Sequence, residues 1–445
     1  MMRKRAMRVQ AWVIALLIVG LGSATPVVAS SLLRGVDVEA ASSRYESVRS
    51  RLVVIDEPTL EGAIERGETL GIGLFEDVVV IADHDRTIRN ASGSVSWVGK
   101  VRGELHAPVV LVTRDGITVG SIRTGGKLYM LYVHDAKTKL HAVHEIDESS
   151  DSYDELEPVL VELDDDTLAD GKARVAAMRA GEADQDDGSI HDLLVVWTQQ
   201  AEDVAGGETA MLNLIDLGVT ETNLSYEASE VQPRIRLIGA IRTDYVEGQP
   251  QGDPLDLAID PDDGVMDEVP VIRDQLAADM VMLMLSGGGC GRGLIMSVVS
   301  VAHAEFAFCW VGVPCVSPGY SFQHELGHVQ GGRHQWSADA TNNAPFTFNH
   351  GYNDPVNGFR TIMAVNDPPN CPDCPRRLAW SNPDGIDPQT GAPMGIPEGM
   401  PEATDMRQSL NLTAWTVANF RVSKRGIFSD GFESGDTSSW SSTVQ

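Results

Sequence analysis

Apolar and polar residues alternate along most of residues 50–146, the period of strands rather than helices. Residues 78–81 and 94–101 read as strands. From Val109 the alternation is broken at Asp115-Gly116 and Gly125-Gly126, dipeptides that suit tight hairpin turns. Tyr129, Leu131 and Val133 interleave with Met130 and Tyr132, so that strand is expected to be covered on both faces. His134, His141 and His144 fall in the same stretch without a carboxylate or thiol constellation, and read as structural or surface histidines. From Glu145 to Asp187 acids take over, including Asp164-Asp165-Asp166 and Asp184-Gln185-Asp186-Asp187. Repulsion at that density predicts an exposed, extended linker and the main domain boundary. Beyond it, strands at residues 193–197, 235–241 and 280–285 alternate with helical spacing over 209–217 and from Asp267 to about Gln275, which predicts an α/β sheet sandwich. Met406, Leu410, Trp415, Val417 and Phe420 mark an amphipathic helix near the end.

The two ends add a compartment. Arg3, Lys4, Arg5 and Arg8 precede a short apolar run over residues 11–22, and Val27-Val28-Ala29 supplies small residues for cleavage, so residues 1–29 read as a secretion signal. The run is short of the ~20 residues that span a bilayer, so no membrane attachment is expected after signal cleavage. Residues 424–445, rich in Ser, Gly and Asp, read as a mobile C-terminal tail. The chain of 445 residues carries 34 basic and 64 acidic side chains, a formal net charge of −30. Such a field repels phosphate backbones and excludes a nucleic-acid partner. Five cysteines, at positions 290, 309, 315, 371 and 374, fit an oxidising compartment, extracellular or periplasmic. Five is odd, so at least one lacks an intrachain partner.

The chemistry is concentrated in residues 324–334, His-Glu-Leu-Gly-His-Val-Gln-Gly-Gly-Arg-His. On a helix, His324 and His328 project from one face and reach a single zinc ion, with Glu325 toward its open side as general base. Gly331 allows the positive φ with which the chain leaves the helix, and the turn returns His334 as third ligand. Three nitrogen ligands leave a fourth position for water, the arrangement of a catalytic zinc.

This stretch resembles the extended zinc motif of the metzincin metalloproteases, which is followed by a Met-turn; Thr361-Ile362-Met363-Ala364 matches that turn. In the family the methionine packs beneath the zinc site. Val365 stands where the astacin and serralysin groups carry a tyrosine, which favours the reprolysin (adamalysin)-like group. Gly351-Tyr352, Arg360 and Trp380-Ser381-Asn382-Pro383 resemble bacterial secreted members of it. Gln335 departs from the aspartate common after the third histidine in reprolysins, which puts the support of the site in question.

The resemblance implies a twisted mixed α/β (α+β) catalytic domain with an active-site helix over residues 189–423, preceded by a β-rich propeptide over 30–150. Residues 151–188 are then the acidic linker holding the activation cleavage. It implies a secreted, monomeric zinc endopeptidase acting on proteins or peptides, with substrate along an edge strand at residues 306–311. The alternative is a catalytically inactive binding or adhesion protein on the same scaffold. The resemblance also pairs Cys290 with Cys315 and Cys371 with Cys374, leaving Cys309 over. A metal or redox role for the Cys371–Cys374 pair competes, though no second CxxC is present to complete a zinc knuckle. The propeptide has no cysteine, so latency rests on bulk occlusion or on a carboxylate from the acidic linker. Asp253, Asp256, Asp260, Asp262 and Asp263 suggest calcium, but their spacing does not match an EF-hand loop.

Overall fold

A computed structural model describes residues 31–36, 46–148, 155–249, 251–367, 369–371 and 374–423. The expected signal segment 1–29 and tail 424–445 lie outside the described residues.

Alternation in the N-terminal half gives nine antiparallel strands: β1 (Leu33–Gly35), β2 (Ser47–Ile55), β3 (Leu70–Phe75), β4 (Val78–Arg89), β5 (Val95–Val101), β6 (Pro108–Arg114), β7 (Ile117–Thr124), β8 (Lys127–Asp135) and β9 (Leu140–Ile146). Their order is β1-β2-β9-β8-β7-β6-β5-β4-β3. The sheet curls until its ends meet, where the Leu32 amide donates to the Gly71 carbonyl at 2.8 Å. Helix α1 (Glu57–Arg66), which the strand-like patterning does not announce, is capped by Asp56 and contributes Leu60 and Ala63 to the enclosed core. Val109, Leu111, Tyr129 and Leu131 fill that core, while the alternate residues Val110, Val112, Met130 and Tyr132 are buried on the outer face. The double-faced pattern of β8 has this cause: its outer face is covered by the second half of the molecule.

That second half is built on a six-stranded mixed sheet. Its strands are β10 (Val159–Val161), β11 (Ile190–Trp197), β12 (Arg234–Arg242), β13 (Met280–Leu285), β14 (Gly291–Met296) and β15 (Phe308–Gly312), in the order β10-β14-β15-β13-β11-β12. All neighbours are parallel except β14 and β15. The helices are α2 (Asp165–Ala180), α3 (Gln199–Ala205), α4 (Glu208–Ala228), α5 (Pro254–Ile259), α6 (Glu268–Leu276), α7 (Ser321–Val329) and α8 (Met406–Val417). One sheet face, with Leu194, Val196, Val281 and Leu283, packs with residues of α5 and α6 such as Leu255 and Val269. The other face, with Leu193, Val195, Met280 and Met282, packs on α4 and α7. Helix α4 lies between the two halves, against β6 and β7 on its far side. One apolar cluster therefore runs from Val110, Val112 and Met130 through Leu214 and Leu217 to Met282 and Phe322 without interruption.

Two expectations are corrected. The acidic stretch is not an extended linker throughout: it contains β10 and the 16-residue helix α2. Asp164 caps α2, Asp165 and Asp166 sit at its N-terminal end and Arg179 at its C-terminal end, so the charges complement the helix dipole instead of melting it. Residues 306–311 are not an edge either. Strand β15 is paired on both sides, by β13 and β14, and the strand beside the histidine helix is β14, to which β10 adds as the outermost member.

Candidate metal centre and substrate cleft

Helix α7 carries His324 and His328 four residues apart, and their Nε2 atoms lie 3.0 Å from each other. The helix ends at Val329. Gly331 then takes φ 93°, where any Cβ would lie 2.9 Å from the Pro345 ring, and the chain turns so that His334 Nε2 comes within 3.2 Å of His324 Nε2. The three histidines foreseen from sequence thus converge on one point, all buried.

Their outer nitrogens decide what that point can hold. His324 Nδ1 donates to the Ile362 carbonyl and His328 Nδ1 to the Gly332 carbonyl, both at 2.8 Å. Those bonds fix the tautomers and leave the Nε2 lone pairs facing one another. Burial strongly favours neutral rings, pushing His324 down to about 3, His334 to about 4 and His328 well below its ordinary value. Neutral imidazoles with convergent lone pairs repel unless a cation sits between them, so this donor set fits a divalent ion that accepts nitrogen ligands.

The floor and rim come from the Met-turn. Met363 packs directly under α7: a Cβ at Gly327 would collide with its sulfur and meet the Trp380 ring at 2.8 Å. Gln335, the residue that departs from the reprolysin pattern, supports the site in its own way. Its Oε1 accepts from the Val365 amide at 2.9 Å and its Nε2 donates to the Val365 carbonyl at 3.4 Å, tying the third-histidine loop to the Met-turn.

Glu325 lies on the side of α7 facing β14. Neither carboxylate oxygen has a hydrogen-bond partner among the described residues, and burial, aided by the charge of Glu155, raises its pKa well above the carboxylate range. Strand β14 can approach this closely because it is glycine there: a Cβ at Gly291 would collide with Glu325 Oε1.

Sequence reasoning missed two further residues. Glu155, just before β10, buries its whole side chain in the cleft, and its carboxylate lies within 4.8 Å of donor atoms of His324 and Glu325. Arg376 holds it through two parallel bonds, Nη1 to Oε1 at 2.5 Å and Nη2 to Oε2 at 2.9 Å. Burial opposes ionisation, but the Arg376 charge outweighs it and keeps Glu155 ionised well below its ordinary pKa. Nothing distinguished either residue in the sequence, since Glu155 is one acid in an acidic run and Arg376 one of two adjacent arginines.

Cys290 is bonded to Cys315 and Cys371 to Cys374, while Cys309 is buried as a free thiol. The first bridge ties the start of β14 to the segment leading into α7. Asp253, one of the acids considered for calcium, instead caps α5 and pairs with Arg292 at 2.6 Å. His141 accepts from the Thr118 amide at 3.0 Å and donates to the Lys139 carbonyl, a structural role.

Residues 213–335 match the family model for reprolysin-like metallopeptidases of family M12B, a match ending one residue past His334. A peptidyl-Asp metalloendopeptidase of Stenotrophomonas maltophilia (strain K279a) is 32% identical over 324 residues, covering 70% of each chain. One from Xanthomonas campestris pv. campestris is 31% identical, covering 70% of this chain and 69% of the other. Seventy per cent of 445 residues is about 310, more than the 257 from Ser189 to the C-terminus, so the likeness extends into the N-terminal half. A solved metalloproteinase-II from Bacteroides fragilis is 9% identical, covers 60% of this chain and 82% of that one, and has a TM-score of 0.38, too slight to bear on the fold. The motif, its geometry and the relatives matched over 70% of their length agree: this chain belongs to the reprolysin-like metzincins and is a zinc metalloendopeptidase.

Proposed function

We propose that the protein is a secreted endopeptidase, made as a latent precursor, in which His324, His328 and His334 hold one zinc ion and Glu325 is the general base. The observation that carries this reading is the convergence of three neutral Nε2 atoms beside a carboxylate with no other partner among the described residues. Zinc in such a site supplies Lewis acidity to a water molecule and to the substrate carbonyl. Glu325 takes the proton released as that water attacks and returns it to the leaving amine. In processed enzyme the peptide lies extended along β14, taking the edge that β10 pairs with in this structure. The relatives are named for aspartate, and bonds flanked by an acidic residue are the substrates we assign to this chain as well.

Residues 30–150 serve as the propeptide in this reading. Support for latency comes from the linker that follows it, whose Glu155 and β10 occupy the cleft and the edge of β14. Export is supported by the N-terminal signal pattern and by two disulfides, and no described helix is long and apolar enough to cross a membrane. Glu325→Gln tests the core of the assignment. Zinc content should match the parent while peptide hydrolysis falls by about 10²–10⁴, the range for losing a general base. Full activity in that variant would remove Glu325 from the mechanism.

A further inference from the structure

On the reading of this chain as an endopeptidase, we propose that Arg376 is its specificity-determining residue, binding an acidic substrate side chain next to the scissile bond, and that Glu155 occupies the same place as an internal surrogate. The guanidinium is almost wholly buried, with 3% of its side chain exposed. Its bonds fall into two sets. Nε and Nη2 donate to the Ala364 carbonyl at 3.2 and 2.9 Å, and Nη1 also donates to the Gly319 carbonyl. These neutral acceptors fix the plane of the fork against the Met-turn and the approach to α7, but they carry no compensating charge.

The one carboxylate paired with Arg376 among the described residues is Glu155, bound bidentately and also accepting from Ser321 Oγ at 2.9 Å. Bidentate arginine matches the plane of a carboxylate and discriminates against its amide, which would turn an N–H group toward a donor. Glu155 reaches this fork from the linker segment that forms the outermost edge of the sheet. The next residue, Leu156, donates its amide to the Gly291 carbonyl at 2.9 Å, and residues 159–161 continue as a strand beside β14. Glu155 is therefore a side chain on an extended peptide laid along the edge strand, which is how a substrate is held by strand addition. Its carboxylate lies beside His324 and Glu325, so an acidic side chain taking its place sits next to the reacting carbonyl. When the segment leaves, Arg376 is left as a buried cation without a partner acid, a costly state that an acidic substrate relieves and a neutral one does not.

The test uses processed, zinc-loaded enzyme and matched fluorogenic peptides carrying Asp, Glu, Asn or Leu beside the cleaved bond. The parent should prefer Asp over Asn by about 10³-fold or more in kcat/KM, as expected where buried donors lose their acceptor. Arg376→Gln should reduce that ratio to less than about tenfold with zinc content unchanged, and Arg376→Lys should fall between. A retained Asp:Asn ratio, or a parallel loss on both peptides, overturns the proposal. A second measurement needs no variant enzyme. A synthetic peptide of residues 153–161 should inhibit the parent, and its Glu155→Gln form should inhibit about 100-fold less well. Equal inhibition by the two peptides overturns the surrogate role. So does undiminished inhibition of Arg376→Gln enzyme by the Glu155 peptide, which would assign the carboxylate to the zinc instead. Zinc-loaded parent that cleaves none of the peptides defeats the endopeptidase reading itself, a failure distinct from altered selectivity.

Discussion

Glu221 gives the seam between the two halves a calculable pH dependence. It sits on α4 with 1% of its surface exposed, accepting from Ser121 Oγ of β7 at 2.6 Å and from Ser317 Oγ at 2.8 and 2.7 Å. Burial raises its pKa from 4.5 to about 7, against the weaker opposing pull of those hydroxyls and of Arg123. The unfolded chain releases this proton near pH 4.5 and the folded one near 7, so between those values the folded state binds more protons. Stability therefore falls as pH rises through that window. At about 1.4 kcal/mol per pH unit the total is about 3 kcal/mol. Buried histidines act in the opposite sense. Burial lowers His141, His144, His191 and His303 to about 4, and the stability they contribute is lost as pH falls from 6.5 toward 4. The raw curve mixes the two, so the measurement is a difference. Urea unfolding of the full chain would be followed by tryptophan fluorescence from pH 4.5 to 7, with and without Glu221→Gln, both in a Glu325→Gln background that prevents self-digestion. The stability of the protein that keeps Glu221, relative to the one carrying Glu221→Gln, should drop by about 3 kcal/mol across the window. A flat difference would refute the assignment of a buried, proton-holding carboxyl at this seam.

Three further outcomes follow from the geometry. His334→Ala should abolish stoichiometric zinc by elemental analysis, whereas a site whose third ligand were a glutamate further along the chain would keep it. Gly293→Ala places a Cβ 2.6 Å from the His328 Cβ and 3.0 Å from the Glu325 carbonyl. It should destabilise the protein by about 1–3 kcal/mol, seen as a thermal midpoint lower by several degrees, and an unchanged midpoint would contradict the close approach of β14 to α7. Mass spectrometry of processed protein should find a new N-terminus between Lys172 and Ser189. Helix α2 protects the first part of that interval, and residues 181–185 are exposed, so the Ala183–Asp184 bond is the expected cut. An intact N-terminal half in fully active enzyme would exclude this activation route.

The histidine cluster was legible because its chemistry is local: one short stretch contains the helix face, the glycine turn and the third imidazole. Met363 was legible for a related reason, since a methionine at that distance from the motif has one family precedent. The strands were legible wherever one face alternates, as in β5 to β8, and the terminal helix α8 where apolar residues follow helical spacing. The failures share a physical origin in contacts between distant segments. Glu155 and Arg376 are 221 residues apart, and only the folding of the linker onto β14 brings them together. The glycines of β14 look like ordinary loop glycines until α7 is packed against them. In α2, the position of each charge along the helix outweighs the net charge. Its acids cluster at the start and Arg179 lies at the end, an order that stabilises a helix although the composition suggested none. The supposed edge at residues 306–311 failed because an apolar run cannot reveal whether it has one neighbour or two.

The unbroken apolar cluster through α4 changes what a single cut in the chain can accomplish. Hydrolysis near residue 184 severs one covalent connection, yet leaves Val110, Val112, Val119 and Met130 pressed against Leu214, Leu217 and their neighbours. Wetting both surfaces is unfavourable, so a molecule nicked there should persist as a two-chain complex, with Glu155 still in the cleft. On the proposed activation route, liberation is consequently a two-stage event: scission primes the molecule, and digestion or displacement of the β-barrel-like partner completes it. If the chain is exported as proposed, the interval between the two stages keeps the cleft closed while the enzyme leaves the cell.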